Sequence, residues 1–241
     1  MNKPAALRHI PIETVAVRPE SRIVLATDPR SPGADRFRLL RMSLRELKAK
    51  AKLQSLIITS ALPMDGKSTV ALNLATVLAE QGKQAVLLIE ADLHCPTLAY
   101  SLGIPVGPGL AECLDDGLEP LSAIRRVEPL QWYILSAGQP RQNPTELLQS
   151  ISFPNLLKTL SPYFDWILID TPPLAPLSDT VLLSRHADAS LLVVRAHRTP
   201  REAVDEAIAL LGPSRVAGII FNGADEVSRL YSKYPGYYGR K

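Results

Sequence analysis

Residues 53–74 read LQSLIITSALPMDGKSTVALNL, and this stretch decides the fold. It begins with a short, nearly continuous apolar run that is typical of a buried β-strand. A tight turn follows, and Gly66-Lys67-Ser68 then opens an apolar helical segment. Backbone N–H groups and the positive dipole end at such a helix start bind phosphate. The stretch therefore predicts a strand, a phosphate-binding loop and a helix, which together form a nucleotide site.

The loop residues have distinct predicted roles in this nucleotide site. We expect Lys67 to reach the β- and γ-phosphates and Ser68 to bind Mg²⁺ through its hydroxyl. Two positions depart from the usual pattern, because Ala61 stands where the consensus has its first glycine and Met64 occupies a turn position that suits glycine. The predicted nucleotide contacts are Asp65, Gly66, Lys67, Ser68, Thr69 and, near the adenine, Asn222.

Four further segments read as buried β-strands that alternate with helical segments. Near-continuous apolar strands with helices between them indicate a mostly parallel sheet flanked by helices in a layered α/β domain. Ligands then bind at the carboxyl ends of the strands. The four segments are QAVLLIE (84–90), DWILID (165–170), SLLVVR (190–195) and VAGIIF (216–221).

Acidic residues stand at the ends of two of these strands. Asp170 ends a buried strand, which is where a magnesium site beside a phosphate loop needs a carboxylate. Glu90 and Asp92 follow another strand two positions apart, so alternation predicts that they project to the same side. One of them can bind the metal while the other accepts a proton from an attacking hydroxyl, and we expect Glu90 to be the proton acceptor. His94 is more often a structural residue in such a position.

The two ends of the chain have a different character from its middle. Residues 1–33 are rich in proline and predict an extended arm, whereas 34–50 carry apolar residues at helical spacing. Residues 229–241 are broken by Pro and Gly and predict a flexible tail. Four tyrosines are crowded into this tail: Tyr231, Tyr234, Tyr237 and Tyr238.

Composition and charge narrow the class of protein. The chain has 241 residues and is 46% hydrophobic, which is enough to bury a substantial core. No apolar run reaches the length of a spanning helix and no secretion signal is evident, so we expect a cytoplasmic protein. Residues 1–52 hold twelve Lys/Arg against five Asp/Glu, a net +7, whereas the remainder holds 15 against 19, a net −4. The basic front end suits anionic lipid or an acidic partner.

These stretches, from about Asp35 to the C-terminus, resemble the bacterial tyrosine kinases (BY-kinases) of capsule and exopolysaccharide production. Like that family, the chain has a Walker A loop at 61–68, a Walker B strand at 166–170 and the segment NPTELLQS at 143–150. The family's DxDxR motif corresponds to 90–94, where Glu90 replaces the first Asp and His94 replaces Arg. The resemblance implies a P-loop NTPase fold of the MinD/ParA-like type, spanning 34–228.

The resemblance also implies an activity and its substrates. ATP and Mg²⁺ are the expected cofactors, with Ser68, Asp92 and Asp170 as metal ligands. Lys67 with the carboxylates Glu90, Asp92 and Asp170 would form the catalytic set. The implied reaction is transfer of the ATP γ-phosphoryl group to the tail tyrosines, which are the family's autophosphorylation sites.

Several partners follow from the same resemblance. The family's ExxRxxR element corresponds to Asp35, Arg38 and Arg41, which implies a homo-oligomeric ring in which each tail reaches a neighbouring active site. A separate transmembrane activator, a polysaccharide co-polymerase, would hold the protein at the inner face of the cell membrane. A phosphotyrosine phosphatase would reverse the modification. Nucleic acid is not an expected partner, because no recognition motif accompanies the basic residues.

Two other functions remain open from the sequence. A MinD/ParA-type ATPase switch shares the fold and phosphorylates nothing, but it usually carries a signature lysine early in the loop, where this chain has Leu62. A scaffold that binds nucleotide and transfers phosphate poorly is the other alternative. Glu90, His94 and Met64 are the departures that favour it. The missing lysine and the tyrosine tail favour the kinase.

Overall fold

Eight strands form one sheet in the residues that the computed structural model describes, which are 5–80, 82–175 and 179–224. The strands are β1 (Ile12–Thr14), β2 (Ser55–Ser60), β3 (Val86–Glu90), β4 (Arg125–Glu128), β5 (Trp132–Leu135), β6 (Trp166–Asp170), β7 (Ala189–Arg195) and β8 (Val216–Asn222). Their order across the sheet is β1-β4-β5-β3-β6-β2-β7-β8. Neighbouring strands are parallel except for β4 and β5. The carboxyl ends of β3, β6 and β2 therefore meet at one edge, where such sheets bind ligands.

Helices cover both faces of this sheet. They are α1 (Val24–Thr27), α2 (Pro32–Ala51), α3 (Lys67–Ala79), α4 (Leu98–Leu102), α5 (Leu110–Asp115), α6 (Pro120–Ala123), α7 (Pro144–Gln149), α8 (Ser152–Leu160), α9 (Asp179–Ser184) and α10 (Arg201–Leu211). Helices α1 to α4 pack on one face, and α5 to α10 pack on the other. Among the described residues, no helix has both the length and the apolar character required to cross a bilayer.

Alternation along the central strands divides the core into these two layers. In β7, Leu191 and Val193 face the layer that contains α2 and α3, whereas Leu192 and Val194 face α10. All four side chains are buried. Strands buried on both faces in this way are characteristic of parallel sheets, and the predicted α/β fold class is confirmed.

The five predicted strands correspond to β2, β3, β6, β7 and β8, with ends that differ by at most two residues. Strands β1, β4 and β5 were not predicted. Each has only three or four residues. A run of that length is too short for alternation to distinguish a strand from a loop.

The segment 1–33 is more ordered than the predicted extended arm. It contributes β1 to the sheet edge, and the side chain of Ile23 is fully buried. Asn73 of α3 hydrogen-bonds to the backbone on both sides of Ile23. Pro19 and Pro32 each begin a helical turn, because proline is favoured at the first helical position. Helix α2 accordingly begins at Pro32, and the arm shares the core of the domain.

Candidate active site

The phosphate loop lies between the end of β2 and the start of α3. Gly66 immediately precedes α3 and has φ +95°, a left-handed conformation that glycine adopts without strain. Met64 also has positive φ, +68°, and its side chain is 78% exposed. Ala61, at the position of the missing consensus glycine, is buried, so only a small side chain fits there. Thr69, a predicted nucleotide contact, lies in the first turn of α3.

Lys67, Ser68, Asp92 and Asp170 converge at this loop. The Lys67 Nζ atom lies 2.8 Å from Asp92 Oδ2 and 3.6 Å from Asp170 Oδ2. The Ser68 hydroxyl donates a hydrogen bond of 2.8 Å to Asp170 Oδ2. Asp170 ends β6 and Asp92 follows β3, so adjacent strands deliver both carboxylates to the start of α3. The structure thus assembles four residues that the sequence predicted separately.

Burial and charge together set the protonation of this cluster. Burial by itself would lower the pKa of Lys67, but the carboxylates of Asp170 and Asp92 outweigh it and raise the pKa above its ordinary value. Burial raises the pKa of Asp170 to about 6, against the opposing effects of the Lys67 charge and the Ser68 hydrogen bond. Lys67 therefore remains a cation at neutral pH.

The cluster has the oxygen ligands that Mg²⁺ prefers. Asp170 Oδ1 is buried and has no hydrogen-bond partner among the described residues. The same part of the chain contains no group of three or more His, Cys, Asp or Glu side chains arranged as a metal cage. Mg²⁺ needs no such cage, because it is usually held by one or two carboxylates, water and substrate phosphates. The residues present therefore fit this ion.

Glu90 was predicted to project beside Asp92; it pairs with Asp170 in the β3–β6 register, but backbone N–H groups engage both of its carboxylate oxygens. Its Oε1 accepts a 2.5 Å hydrogen bond from the backbone N–H of Leu98, and its Oε2 accepts one of 3.2 Å from that of Ala137. The side chain is buried. Strand β3 ends at Glu90, so the alternation that predicted a shared direction does not extend to Asp92.

Asp65 and Asn222 stabilise the conformation of the phosphate loop through hydrogen bonds. The Asp65 carboxylate accepts hydrogen bonds from the Leu62 N–H and the Thr199 hydroxyl, at 3.2 and 2.8 Å. The Asn222 side-chain amide donates to the Asp65 carbonyl at 2.9 Å. A Cβ atom at Gly66 would lie 2.1 Å from Asn222 Nδ2. Both predicted nucleotide contacts therefore hold the loop in shape through their side chains.

A polar cluster near the site was not predicted. His94 Nε2 lies 2.8 Å from Asp179 Oδ2, and the Thr145 hydroxyl donates to the same carboxylate oxygen at 3.2 Å. The cluster joins the segment after β3 to α7 and α9. Thr145 belongs to the NPTELLQS segment, and the resemblance of that segment to the kinase family was the one feature of the sequence that could have indicated a role for it. No spacing in the sequence pairs Thr145 with His94.

Arg38 and Arg41, predicted as oligomer contacts, have partners within the chain. Arg38 lies 3.0 Å from Asp35 and 3.1 Å from Glu80, and Arg41 lies 2.5 Å from Glu80. Arg41 also donates to the Val77 carbonyl at 3.0 Å. These contacts connect α2 to the end of α3. The tail tyrosines Tyr231, Tyr234, Tyr237 and Tyr238 lie outside the described residues.

Comparison with known proteins assigns the chain to a family. No protein-family model matches it. The tyrosine-protein kinase YwqD of Bacillus subtilis strain 168 is 34% identical over 226 residues, which cover 93% of this chain and 94% of YwqD. The chain belongs to the bacterial tyrosine kinases. This kinase is also 33% identical over 231 residues to the succinoglycan biosynthesis transport protein ExoP of Rhizobium meliloti, covering 93% of the kinase but 29% of ExoP.

Solved structures give the same assignment. The kinase domain of the Escherichia coli tyrosine kinase ETK has a TM-score of 0.81 at 28% identity, covering 89% of this kinase and 87% of that domain. The chimerical protein CapA2B2 has a TM-score of 0.77 at 28% identity, covering 88% and 93%. MinD of Pyrococcus horikoshii has a TM-score of 0.61 at 23% identity, covering 73% and 76%, which shows a shared fold. The kinase prediction is thus supported over the MinD/ParA switch.

Proposed function

We propose that this kinase transfers the γ-phosphoryl group of ATP to tyrosines of its own C-terminal segment and thereby regulates polymerisation and export of an exopolysaccharide or capsule. YwqD and ETK are named as tyrosine kinases, and ExoP is named for succinoglycan transport. The observation that carries the proposal is the convergence of Lys67, Asp92 and Asp170 beside Ser68 at the phosphate loop. Positioned charge of this kind is what phosphoryl transfer requires.

Lys67 binds the transferred phosphate in this account. Its ammonium group already has an anionic partner in Asp92, at 2.8 Å. The incoming phosphate therefore replaces the Asp92 carboxylate as the anionic partner of Lys67. Lys67 stays charged throughout because its pKa is raised. Release of Lys67 from Asp92 leaves Asp92 Oδ2 free at the moment when the substrate hydroxyl arrives.

Ser68, Asp92 and Asp170 would hold Mg²⁺ through their oxygen atoms. When bound, this ion neutralises the charge that develops on the phosphoryl oxygens. Asp170 supplies an oxygen that lacks a hydrogen-bond partner in the described part of the chain. Its other oxygen fixes the Ser68 hydroxyl at 2.8 Å.

The bonding changes then follow from these positions. The tyrosine oxygen forms a bond to the γ-phosphorus as the bond from that phosphorus to the β,γ-bridging oxygen breaks, and the tyrosine proton passes to Asp92 Oδ2. Both Glu90 oxygens accept backbone N–H groups. Glu90 therefore acts as a positioning residue that fixes the backbone around the site.

Assembly and location are part of the proposal. A homo-oligomeric ring built through Asp35, Arg38 and Arg41 of α2 would bring the tail of one subunit to the active site of the next. A separate transmembrane co-polymerase would hold this cytoplasmic ring at the inner membrane face, where the basic residues 1–52 suit anionic lipid. ExoP supports a partner of this kind, because the region that matches this kinase makes up 29% of ExoP and the rest of ExoP lies outside the match. A phosphotyrosine phosphatase would reset the cycle.

The catalytic assignment is tested by Lys67→Met and Asp170→Asn. Each purified variant is incubated with Mg-ATP, phosphotyrosine is quantified, and circular dichroism checks the fold. We expect no phosphotyrosine in either variant and normal levels in Lys83→Met, an exposed lysine that serves as the matched control. Retained phosphotyrosine in a folded Lys67 or Asp170 variant contradicts the assignment.

The ring is tested separately by replacing Asp35, Arg38 and Arg41 with alanine. Sedimentation velocity should show smaller species than the wild-type chain forms at the same concentration. A triple variant that sediments like wild type removes these residues from the interface and leaves them with their contacts inside the chain.

A further inference from the structure

A cavity of about 890 Å³ opens between α2, α3 and β8, beside the phosphate loop. Its apolar wall includes Phe37 and Leu39 of α2 and Ile219 and Phe221 of β8. Leu39 and Phe221 are 61% and 64% exposed. Large apolar side chains that are exposed together around a concavity of this size are typical of a binding site.

Three arginines also line this cavity: Arg22, Arg36 and Arg195. The lining contains no Asp or Glu among the described residues. In the same part of the chain, none of the three arginines is paired with a carboxylate. The cavity therefore suits a ligand that combines an aromatic or apolar body with an anionic group, and guanidinium groups bind phosphate especially well.

We propose that the cavity binds phosphotyrosine of the C-terminal segment 225–241 of the same chain, which deepens the proposed function and rests on it. A phosphotyrosine side chain has both required parts, a ring for the apolar wall and a dianion for the arginines. Recognition of phosphorylated segments by clustered arginines is a recurrent binding mode.

The place where the described residues end makes this contact possible within one chain. Gly223 lines the cavity, and the Arg195 guanidinium packs against it, since a Cβ at Gly223 would lie 3.0 Å from Arg195 Nε. Tyr231 is seven residues beyond Ala224, so the connecting chain can span up to about 25 Å. The described part of the chain therefore ends beside the cavity, and the residues that follow are long enough to reach it.

Charge explains why phosphorylation would control the contact. Residues 225–241 hold four Lys/Arg and two Asp/Glu, so their side chains carry +2 before modification. Arginines repel such a segment, whereas the acidic cluster of Asp92 and Asp170 attracts it. Each phosphate adds about −1.5 to −2, so two phosphates reverse the sign of the segment. Phosphorylation therefore makes the C-terminal segment favour the basic cavity over the acidic active site.

Occupancy of the cavity has a consequence for turnover. Gly66 and Thr69 of the phosphate-binding region form part of its wall. Asn222, which is predicted to lie near the adenine, also lines the cavity, so a phosphotyrosine held there would compete with ATP for the same space. The modified chain would in this way limit its own further reaction.

The test measures binding of a synthetic peptide, so it does not depend on catalysis. A fluorescein-labelled peptide of residues 225–241, phosphorylated at Tyr231 and Tyr234, is titrated with the full-length Lys67→Met chain at fixed salt, and fluorescence anisotropy is recorded. We expect at least tenfold tighter binding than for the unphosphorylated peptide. Arg36→Ala and Arg195→Ala should each weaken binding at least fivefold; Arg36 is exposed, so its replacement leaves the fold intact.

Arg201→Ala is the matched control, because Arg201 lies on α10 outside the cavity with its side chain 89% exposed. Its affinity for the phosphopeptide should equal that of the Lys67→Met parent. Equal affinity for the two peptides, or equal weakening by Arg201→Ala and Arg36→Ala, overturns the proposal. Either result leaves the kinase assignment intact, whereas loss of tail phosphorylation in the enzyme would contradict that assignment alone.

Discussion

The Lys67 ammonium group lies 2.8 Å from Oδ2 of Asp92, although the strands that carry these residues are not neighbours in the sheet. Lys67 begins the helix after β2, Asp92 follows β3, and β6 lies between those strands. Asp170 at the end of β6 is 3.6 Å from the same ammonium nitrogen. Residues from three strand ends therefore meet at this ammonium group, and for this reason the proposed mechanism places Asp92 among the reacting groups.

Asp92→Asn should slow phosphoryl transfer without a matching loss of ATP binding. The amide accepts a proton poorly and pairs weakly with Lys67, so we expect tail phosphorylation to slow by about 10²-fold or more, the range for loss of a general base. Measured without Mg²⁺, ATP affinity should hold or rise, because phosphate no longer competes with Asp92 for Lys67. Phosphorylation rates and ATP dissociation constants check this. Undiminished transfer would contradict the role, and Asp205→Asn, exposed on α10, is the control.

Glu90→Gln should affect stability more than catalysis. The new side-chain NH₂ would face a backbone N–H of Leu98 or Ala137, and one unsatisfied buried group costs about 1–3 kcal/mol. We expect a lower urea midpoint and a transfer rate per folded molecule close to wild type. An unchanged midpoint with abolished transfer would instead restore Glu90 as the proton acceptor.

Gly66→Ala should weaken ATP binding by distorting the loop. The added methyl would meet Asn222 Nδ2 at 2.1 Å, and a non-glycine residue at φ +95° is strained by roughly 1–2 kcal/mol. Adding Asn222→Ala removes the clash but not the strain. Because Asn222→Ala also removes the hydrogen bond to the Asp65 carbonyl, ATP titration should show a loss in the double variant that is smaller than the sum of the two single losses. A double variant that binds as weakly as the sum of both single effects would contradict the contact.

Glu80→Gln should alter acid stability. Burial alone would raise the pKa of Glu80, but hydrogen bonds and charge from Arg38 and Arg41 hold it below its usual value. A depressed folded-state pKa gives stabilisation that is present above about pH 4.3, the unfolded value, and is lost as pH falls through the folded value. The variant should lose about 1 kcal/mol at pH 7 and little at acid pH. A difference that does not vary with pH would contradict this linkage.

The parts of the site that depend on local sequence were predictable. Gly66, Lys67 and Ser68 follow a strand and begin a helix, and this order fixes their positions. Asp170 was predictable for a similar reason, because the last residue of a buried parallel strand lies at the ligand edge. The five central strands were equally evident from their apolar runs.

The remaining features depend on contacts between distant segments. Glu90 turns to backbone N–H groups that belong to two other segments, and no spacing predicts that choice. Arg41 pairs with Glu80, which is 39 residues away. Thr199 supports the loop through Asp65 from a position 134 residues further along the chain. Such pairings follow from the folded sheet order and are not encoded in any local pattern.

Intact-mass spectrometry after incubation with Mg-ATP tests the central claim most directly. The wild-type chain is compared with Lys67→Met and with a variant that has phenylalanine in place of Tyr231, Tyr234, Tyr237 and Tyr238. Tyr100→Phe is the control, since that tyrosine is 88% exposed outside the tail. We predict phosphate additions of 80 Da, on the order of one to four, in wild type and Tyr100→Phe, and none in the other two. A wild-type chain that binds ATP but gains no phosphate, or a four-fold phenylalanine variant phosphorylated like wild type, would contradict the account.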